Sequence, residues 1–418
     1  MKYGLVGKNV QFSYSKFIHE YISKIEYELI SLQDENEFLN FLKTDFIGIN
    51  VTIPFKTIAY ENCDFLSEEA KATKSVNTII KRENKLYGYN TDTYGFEYLL
   101  DSLNIDLQKR TALILGTGAT SRSIAYILGK KGLSANIFAS RNPTNDFTYS
   151  YDSKIIKNSQ IIINSTPVGS YPNVDERLLD LNEFKFLESY IDVIYNPQST
   201  NMVKQARKLG LKSVGGLKML IAQAVKSNEL FLNIKHISNI EQNVYNYLIS
   251  KIFNIVIIGH PYSGKTTIGK ELSNYFSMNF IDTDEIIQNQ ENQTIENIIT
   301  LKGENYFRGL EKNIIKNINL TGNVISLGGG AILYKENIVH LRKNSIFISL
   351  TRNIDLINVD NSRPLANSKE KLIKVIKERS NIYRFYADFE IETDSEMYSN
   401  SIYQNYYNIP YTIRGNTK

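Results

Sequence analysis

The octad Gly259-His260-Pro261-Tyr262-Ser263-Gly264-Lys265-Thr266 fits the pattern G-x-x-x-x-G-K-[ST], and each fixed residue has a physical reason. Glycines let backbone N–H groups turn inward around phosphate oxygens. Lys265 reaches the β- and γ-phosphates, and the Thr266 hydroxyl can ligate Mg²⁺. An apolar run at 255–258 precedes the octad and an amphipathic stretch at 267–276 follows it. The octad is therefore a strand–loop–helix junction whose helix offers its positive end to an anion. It predicts nucleoside triphosphate binding by Gly259, Ser263, Gly264, Lys265, Thr266 and Thr267. Downstream, Phe280-Ile281-Asp282-Thr283-Asp284 reads as a strand closing on two carboxylates that face the same side. One can hold Mg²⁺ through water and the other can accept a hydroxyl proton. Arg308 offers a cation within a helix, and residues 324–330 run a strand into Gly328-Gly329-Gly330, where a small ligand can approach the backbone. Arg363-Pro364-Leu365 follows a polar stretch, as a lid arginine would, and Arg379 and Tyr383 lie four apart on the next helix. Taken singly, Asp282 reads as a helix N-cap, Arg308 and Arg379 as surface cations, and the three glycines as a turn. Their order behind the octad weighs against those readings.

A weaker phosphate-type turn, Leu115-Gly116-Thr117-Gly118-Ala119-Thr120-Ser121, keeps only the first two glycines of G-x-G-x-x-G/A. A strand-like run at 112–115 precedes it and a helical stretch at 122–131 follows. The next strand, 135–139, ends in Ser140-Arg141-Asn142 with no acid for a ribose diol. Arg141 suits a 2′-phosphate instead, so NADP is favoured over NAD. Upstream, Asn50-Val51-Thr52-Ile53-Pro54-Phe55-Lys56 puts a lysine just past a strand and a proline, where it can act as a proton donor to a cleft. Asn77 and Asp92 add an amide and a carboxylate, and Ser13 and Ser15 place two hydroxyls on one side of an extended segment. Alone, Lys56 reads as a solvated lysine and the serines as turn residues.

The elements that must hold these groups follow from periodicity. Short β-branched runs at 112–115, 135–139, 161–164, 255–258, 324–327 and 346–350 alternate with helical stretches at 122–131, 200–209 and 267–276. That alternation implies βαβ units and parallel sheets. A length of 418 residues suggests two or three domains. Residues 226–253 are polar and helical, and either end the first half or link the two. The net charge of +4 is scattered, with no basic stripe for nucleic acid. Cys63 is the only cysteine, which excludes an intrachain disulfide and points to a reducing compartment. No segment approaches the ~18 apolar residues of a membrane span. The opening residues read as a strand and a Gly turn, not the apolar core of a signal peptide. A cytoplasmic location is expected, with neither nucleic acid nor membrane as partner.

The ordered set from the octad onward resembles shikimate kinase over residues 254–395. That resemblance implies a small P-loop α/β kinase. It implies that Asp284, Arg308, Gly329 and Arg379 hold shikimate, the arginines matching its carboxylate. Thr266 and Asp282 would serve Mg²⁺, and Lys265 and Arg363 would neutralise the transferring phosphoryl group. Leu356 or Ile357 stands where the family has an adenine-stacking arginine, and the loop at 393–396 lacks the family's proline. Residues 1–225 resemble shikimate dehydrogenase, with Ile163-Asn164-Ser165-Thr166-Pro167-Val168-Gly169, Asp192-Val193-Ile194-Tyr195-Asn196-Pro197 and Gly216-Leu217-Lys218-Met219-Leu220 as later family strings. Lys56 and Asp92 would then be the catalytic pair. Ser13, Ser15, Thr52, Asn77, Asp92, Tyr195 and Gln223 would bind substrate. Gly116, Thr117, Gly118, Ala119, Thr120, Arg141, Val193 and Gly216 would line the cofactor. Lys16, Ser121 and Lys218 depart from the family pattern without touching a catalytic position.

The expected fold is α/β: a substrate domain at 1–100 completed by about 216–245, a Rossmann NADP domain at 101–215, and a P-loop kinase domain at 254–418. The expected function is bifunctional. NADPH reduces 3-dehydroshikimate to shikimate, and MgATP phosphorylates shikimate to shikimate 3-phosphate, on the way to chorismate and aromatic amino acids. The alternatives are a degenerate binding module in one half, or a kinase acting on another small hydroxy acid. Oligomeric state is not legible.

Overall fold

The computed structural model describes residues 2–143, 148–359 and 366–393. The chain divides into two units, Met1–Leu248 and Ile249–Lys418.

In the first unit, β1 (Tyr3–Gly7), β2 (Tyr27–Ser31), β3 (Gly48–Val51), β4 (Phe65–Leu66), β5 (Thr78–Arg82) and β6 (Lys85–Tyr89) form one mixed sheet. Its order is β2-β1-β3-β5-β6-β4. β1 runs parallel to β2 and β3, and β5 antiparallel to β3 and β6. One face buries Phe38, Ile49, Val51, Phe55, Val76 and Ile79, with the Phe38 and Phe55 rings stacked at 4.8 Å. This packing fixes Lys56, the next residue after Phe55, at the start of the helix Lys56–Glu61.

The helix Asp92–Asp101 leads out of this sheet into a second one, made of β7 (Thr111–Leu115), β8 (Ala135–Ala139), β9 (Thr148–Tyr149), β10 (Ile161–Asn164), β11 (Ser189–Asp192) and β12 (Lys212–Val214). All its pairings are parallel, in the order β12-β11-β10-β7-β8-β9. Counted from β7 this is the doubly wound order 3-2-1-4-5-6. It opens a crevice at the carboxyl ends of β7 and β10, where the strand order reverses. Every residue of β10 is buried, which is why Ile-Ile-Ile-Asn reads as a continuous apolar run.

The chain returns to the first sheet through the helix Leu217–Leu232, whose Phe231 packs on Tyr3 at 5.5 Å. Gly48 accommodates that ring, since a Cβ there would lie 2.3 Å from it. Ser227, Asn228 and Phe231 are buried in this helix. The polar stretch from 226 therefore continues into the first unit, followed there by the helix Ile240–Tyr247.

Among the described residues the second unit has one parallel sheet: β13 (Asn254–Gly259), β14 (Asn279–Asp282), β15 (Asn323–Ser326), β16 (Ser345–Thr351) and β17 (Phe389–Glu392), ordered β14-β15-β13-β16-β17. β13 is central and buried along its whole length. The helix Lys265–Phe276 leaves its carboxyl end. The strand and helix runs read from the sequence all fall on such elements. One local expectation is corrected. Asp282 and Asp284 do not share a strand face, because β14 ends at Asp282 and Asp284 lies in the first turn of the helix Thr283–Glu291. Asp282 ends the strand by capping that helix, accepting from the N–H groups of Asp284 and Glu285.

Among the described residues, no helix is long and apolar enough to cross a membrane.

Candidate active sites

A cleft of about 160 Å³ opens in the first unit, lined by Ser13, Ser15, Thr52, Lys56, Asn77, Tyr195 and Gln223 among others. The sequence singled out all seven, and the fold brings them together from five separate stretches of chain. Lys56 donates from Nζ to Asp92 Oδ2 at 2.5 Å, and the two residues are 8% and 1% exposed. Burial of a charge pair calls for further hydrogen bonds on its free atoms, and these are present. Asn77 Nδ2 reaches the other Asp92 oxygen at 2.9 Å, and also Thr91 Oγ1 and Gln223 Oε1, each at 3.1 Å. Asn77 Oδ1 accepts from the Thr91 N–H, and the Asp92 N–H donates to Asn90 Oδ1. The pair sits at the start of the helix Asp92–Asp101, where a carboxylate is favoured by the backbone dipoles. Ser13 donates to Ser15 Oγ at 3.0 Å, and the Tyr14 and Tyr195 rings meet at 5.5 Å. Burial raises the Tyr195 hydroxyl's pKa, and a hydrogen bond with Ser13 partly offsets it.

The Gly116–Thr120 turn lies at the carboxyl end of β7. Gly116 has φ +104, and a Cβ there would come within 2.9 Å of Ser165 Oγ. Gly118 has open space where a Cβ would be and precedes the helix Ala119–Lys130, so Ala119 and Thr120 belong to its first turn. The third glycine position holds Ser121, whose hydroxyl is bonded to Ser165 Oγ at 2.7 Å. Arg141 is exposed just past β8. Gly216 packs on Val193, whose carbonyl oxygen would be 2.0 Å from a Cβ. Lys218 is buried, and desolvation pushes its ammonium pKa down to about 8.

In the second unit the phosphate-type loop is strained where its pattern demands glycine. Gly259 has φ +150 with a would-be Cβ 2.5 Å from the Leu350 carbonyl oxygen, and Gly264 has φ +85. Lys265 donates to the carbonyls of Gly259 and His260, each at 3.0 Å, which holds its ammonium over the loop. Thr266 donates to Asp282 Oδ2 at 2.7 Å. Ser263 is buried and Thr267 exposed. A pocket is lined by Lys265, Asp284, Arg308, Gly329 and Arg379, again all singled out from the sequence. Arg379 and Tyr383 both donate to the Gly329 carbonyl, at 3.1 and 2.5 Å. Gly330 leaves room for the Arg308 guanidinium, which would lie 2.3 Å from a Cβ. Arg363 lies outside the described residues, as do Asp394, Ser395 and Glu396 of the late loop. Leu356 is half exposed, whereas Ile357 packs against Ala366 and Leu372.

Two residues carry more of these sites than the sequence reading assigned them. Glu311 is fully buried and pairs with Arg308 Nη1 at 2.8 Å. Its pKa is pushed up to about 7 by burial, against the pull of Arg308. The i,i+3 spacing Arg308–Glu311 was the available signal. Asp192 was quoted but given no role. It accepts from Asn164, Tyr190, Thr200 and the Ile194 N–H, and so shapes the turn carrying Val193 and Tyr195. Burial raises its pKa to about 6.

Comparison with known proteins finds a family for each unit. Residues 5–79 match the profile of the shikimate dehydrogenase substrate binding domain, and residues 261–407 that of shikimate kinase. A shikimate dehydrogenase (NADP(+)) of Clostridium beijerinckii is 35% identical over 264 residues, covering 58% of this chain and 96% of that protein. One from Methanococcus maripaludis is 31% identical over 255 residues, covering 56% and 91%. Among solved structures, shikimate dehydrogenase 1 of Peptoclostridium difficile is 34% identical with a TM-score of 0.55, covering 59% of this chain and 98% of that one. The Thermus thermophilus shikimate 5-dehydrogenase, solved with NADP(H) and shikimate, is 26% identical with a TM-score of 0.52, covering 59% and 98%. The chain belongs to the shikimate dehydrogenase family through its first unit, and carries a shikimate kinase domain in its second.

Proposed function

We propose that the chain catalyses two consecutive steps: NADPH-dependent reduction of 3-dehydroshikimate, then MgATP-dependent phosphorylation of the shikimate so formed. The observation that carries this reading is the buried Lys56–Asp92 pair in a cleft of hydroxyl and amide groups. A phosphate loop opening on two arginines in the other unit supports it.

The residues present fit the groups the reading requires. Gly116 and Gly118 leave a backbone cradle at a helix N-terminus for the cofactor's phosphates, and exposed Arg141 suits the 2′-phosphate. Bound nicotinamide supplies the hydride. Lys56 and Asp92 hold a proton between them and release it to the substrate oxygen. Asn77 keeps the Asp92 carboxylate turned toward Lys56, and Ser13, Ser15, Thr52, Tyr195 and Gln223 orient the ring. In the second unit the loop cradles phosphates, with Lys265 neutralising the transferring group. Thr266 and Asp282 form an oxygen donor set suited to Mg²⁺, which supplies further charge neutralisation. Asp284 accepts the proton of the attacking hydroxyl, and Arg308 and Arg379 clamp the substrate carboxylate. Arg363 completes the set as a lid cation. The expected setting is the cytoplasm.

The test is a staged assay on the full-length chain. With 3-dehydroshikimate and NADPH, nicotinamide absorbance falls. On adding MgATP, ADP and shikimate 3-phosphate appear. Absence of reduction with both NADPH and NADH removes the first activity, and reduction without phosphate transfer removes the second.

A further inference from the structure

The edge of the second sheet brings a tyrosine to the arginine that suits a 2′-phosphate. β8 and β9 run parallel, and their last paired residues are Ala139 and Tyr149. The Ser140 N–H donates to the Tyr149 carbonyl at 3.0 Å and carries the pairing one bond further. Two residues beyond the last pair stand Arg141 on one chain segment and Tyr151 on the other. Neighbouring strands lie about 4.8 Å apart. Both side chains therefore leave from one short stretch of the sheet's carboxyl edge.

Each residue sits in a turn. The Asn142 N–H donates back to Ser140 Oγ at 3.2 Å, and the Ser153 N–H to the Ser150 carbonyl at 3.1 Å. Arg141 is left exposed. Tyr151 is anchored instead, its half-buried ring packed on the cluster that includes Leu115, Ala139 and Ile156. Among the described residues its hydroxyl makes no hydrogen bond, and it is open to solvent. Burial raises the pKa of this phenol and the Arg141 guanidinium pulls it back, so the cation lies within electrostatic reach of the oxygen. The phenol keeps its proton at neutral pH and can donate it.

In a doubly wound sheet the ribose of a dinucleotide lies at the end of the second strand, counted from the Gly-rich turn. That strand is β8. An arginine there answers the charge of a 2′-phosphate, but an exposed cation on a flexible stem is screened by water and contributes little alone. A hydroxyl on an anchored ring loses little freedom when a ligand engages it. A phosphate monoester can accept from both groups at once. A free 2′-hydroxyl brings no charge for either.

We propose that Tyr151 is a further specificity-determining residue of the dehydrogenase, its hydroxyl donating to the cofactor's 2′-phosphate beside Arg141. This rests on the NADP reading above.

The test measures binding by calorimetry on the full-length chain, for wild type, Tyr151→Phe, Arg141→Ala and the double variant. The ligands are NADPH, NADH, adenosine 2′,5′-bisphosphate and adenosine 5′-monophosphate. Tyr151→Phe keeps the ring and its packing, and removes only an oxygen that bonds nothing in the protein. It is expected to weaken NADPH and the bisphosphate about 10-fold, the scale of one hydrogen bond to a charged group. NADH and the monophosphate change less than about twofold, since no 2′-phosphate meets the lost donor. The double variant loses less than the two single losses combined, because both groups act on one phosphate. Equal weakening of NADPH and NADH places the hydroxyl on adenine or ribose and overturns the proposal, as does an unchanged affinity for all four. A wild type that binds NADPH no better than NADH sinks the NADP reading itself, and the proposal with it.

Discussion

The two sites prepare their charges in different ways. In the dehydrogenase cleft the acid and the cation are already paired with each other, and buried amides immobilise the pair. In the kinase pocket the cations are held by groups of the protein that a ligand can replace or join. Lys265 lies on loop carbonyls, Arg379 on the Gly329 carbonyl, and Arg308 between Glu304 and Glu311. The contrast follows the chemistry. Moving a proton to a forming alkoxide needs a donor and its counter-charge fixed in advance. Phosphoryl transfer needs positive charge placed where phosphate and carboxylate arrive.

Breaking the prearranged pair has the largest expected effect. Asp92→Asn leaves Lys56 buried without its counter-charge and removes the proton partner. Dehydrogenase turnover is expected to fall about 10³- to 10⁴-fold, and the first unit to lose about 3–5 kcal/mol. Kinase activity of the same preparation reports whether the second unit is unaffected. A loss below tenfold means that the pair is structural only. Lys265→Ala comes next. Phosphate transfer is expected to fall about 10²- to 10³-fold, by analogy with removal of one electrostatic donor, while NADPH oxidation is unchanged. If ATP affinity falls but turnover holds, Lys265 binds the nucleotide without serving the transition state.

The third effect separates the two kinds of pairing by pH. Glu311 is buried and its folded pKa lies near 7, above its ordinary value. Between those two values the folded state binds a proton that the unfolded state has released. Its contribution to stability is therefore complete at low pH and lost as pH rises toward 7. Stability of the second unit is expected to drop by about 3 kcal/mol across that window, and Glu311→Gln is expected to flatten the drop. Denaturant melts at pH 5 and pH 7.5 measure it. A variant with the wild-type slope assigns the dependence to other groups.

How much of this was readable depended on how local each feature is. The strand–loop–helix around Lys265 is one contiguous string, so the sequence revealed both the element and its chemistry. The second sheet was legible for the same reason, as β7, its turn and the helix after it are contiguous. The dehydrogenase site is assembled from distant residues. Asn77 meets Gln223 across 146 positions and His19 meets Asn228 across 209. No spacing rule reports such contacts, and only resemblance to a family named most of the set. Asp284 was placed on a strand because a period of two was extended through Asp282, a residue that in fact caps a helix. Glu311 was passed over because an exposed Arg–Glu spacing and a buried one look alike in sequence.

The smallest effect sharpens the comparison by asking how far the dehydrogenase's prearrangement extends. Arg122, on the helix that follows the Gly116 turn, reaches to the substrate side. It donates to the carbonyls of Thr73 and Lys74 at 2.7 and 2.9 Å, and to Thr57 Oγ1 at 3.2 Å. The first two close the helix Glu68–Thr73 at its C-terminal end, where free carbonyls favour a cation. Thr57 adjoins Lys56. Asn90 adds a buried link, donating to both Thr73 and Ser123. Arg122→Ala is expected to cost about 1–2 kcal/mol of stability and to lower kcat/KM about 3- to 10-fold, because Lys56 and the cofactor helix lose a shared support. Arg122→Lys keeps one donor but not the fork, so it should lie between the two. An Arg122→Ala enzyme destabilised to that extent but with unchanged kcat/KM would show that the prearrangement stops at Asn77 and Gln223. The clasp would then serve folding alone.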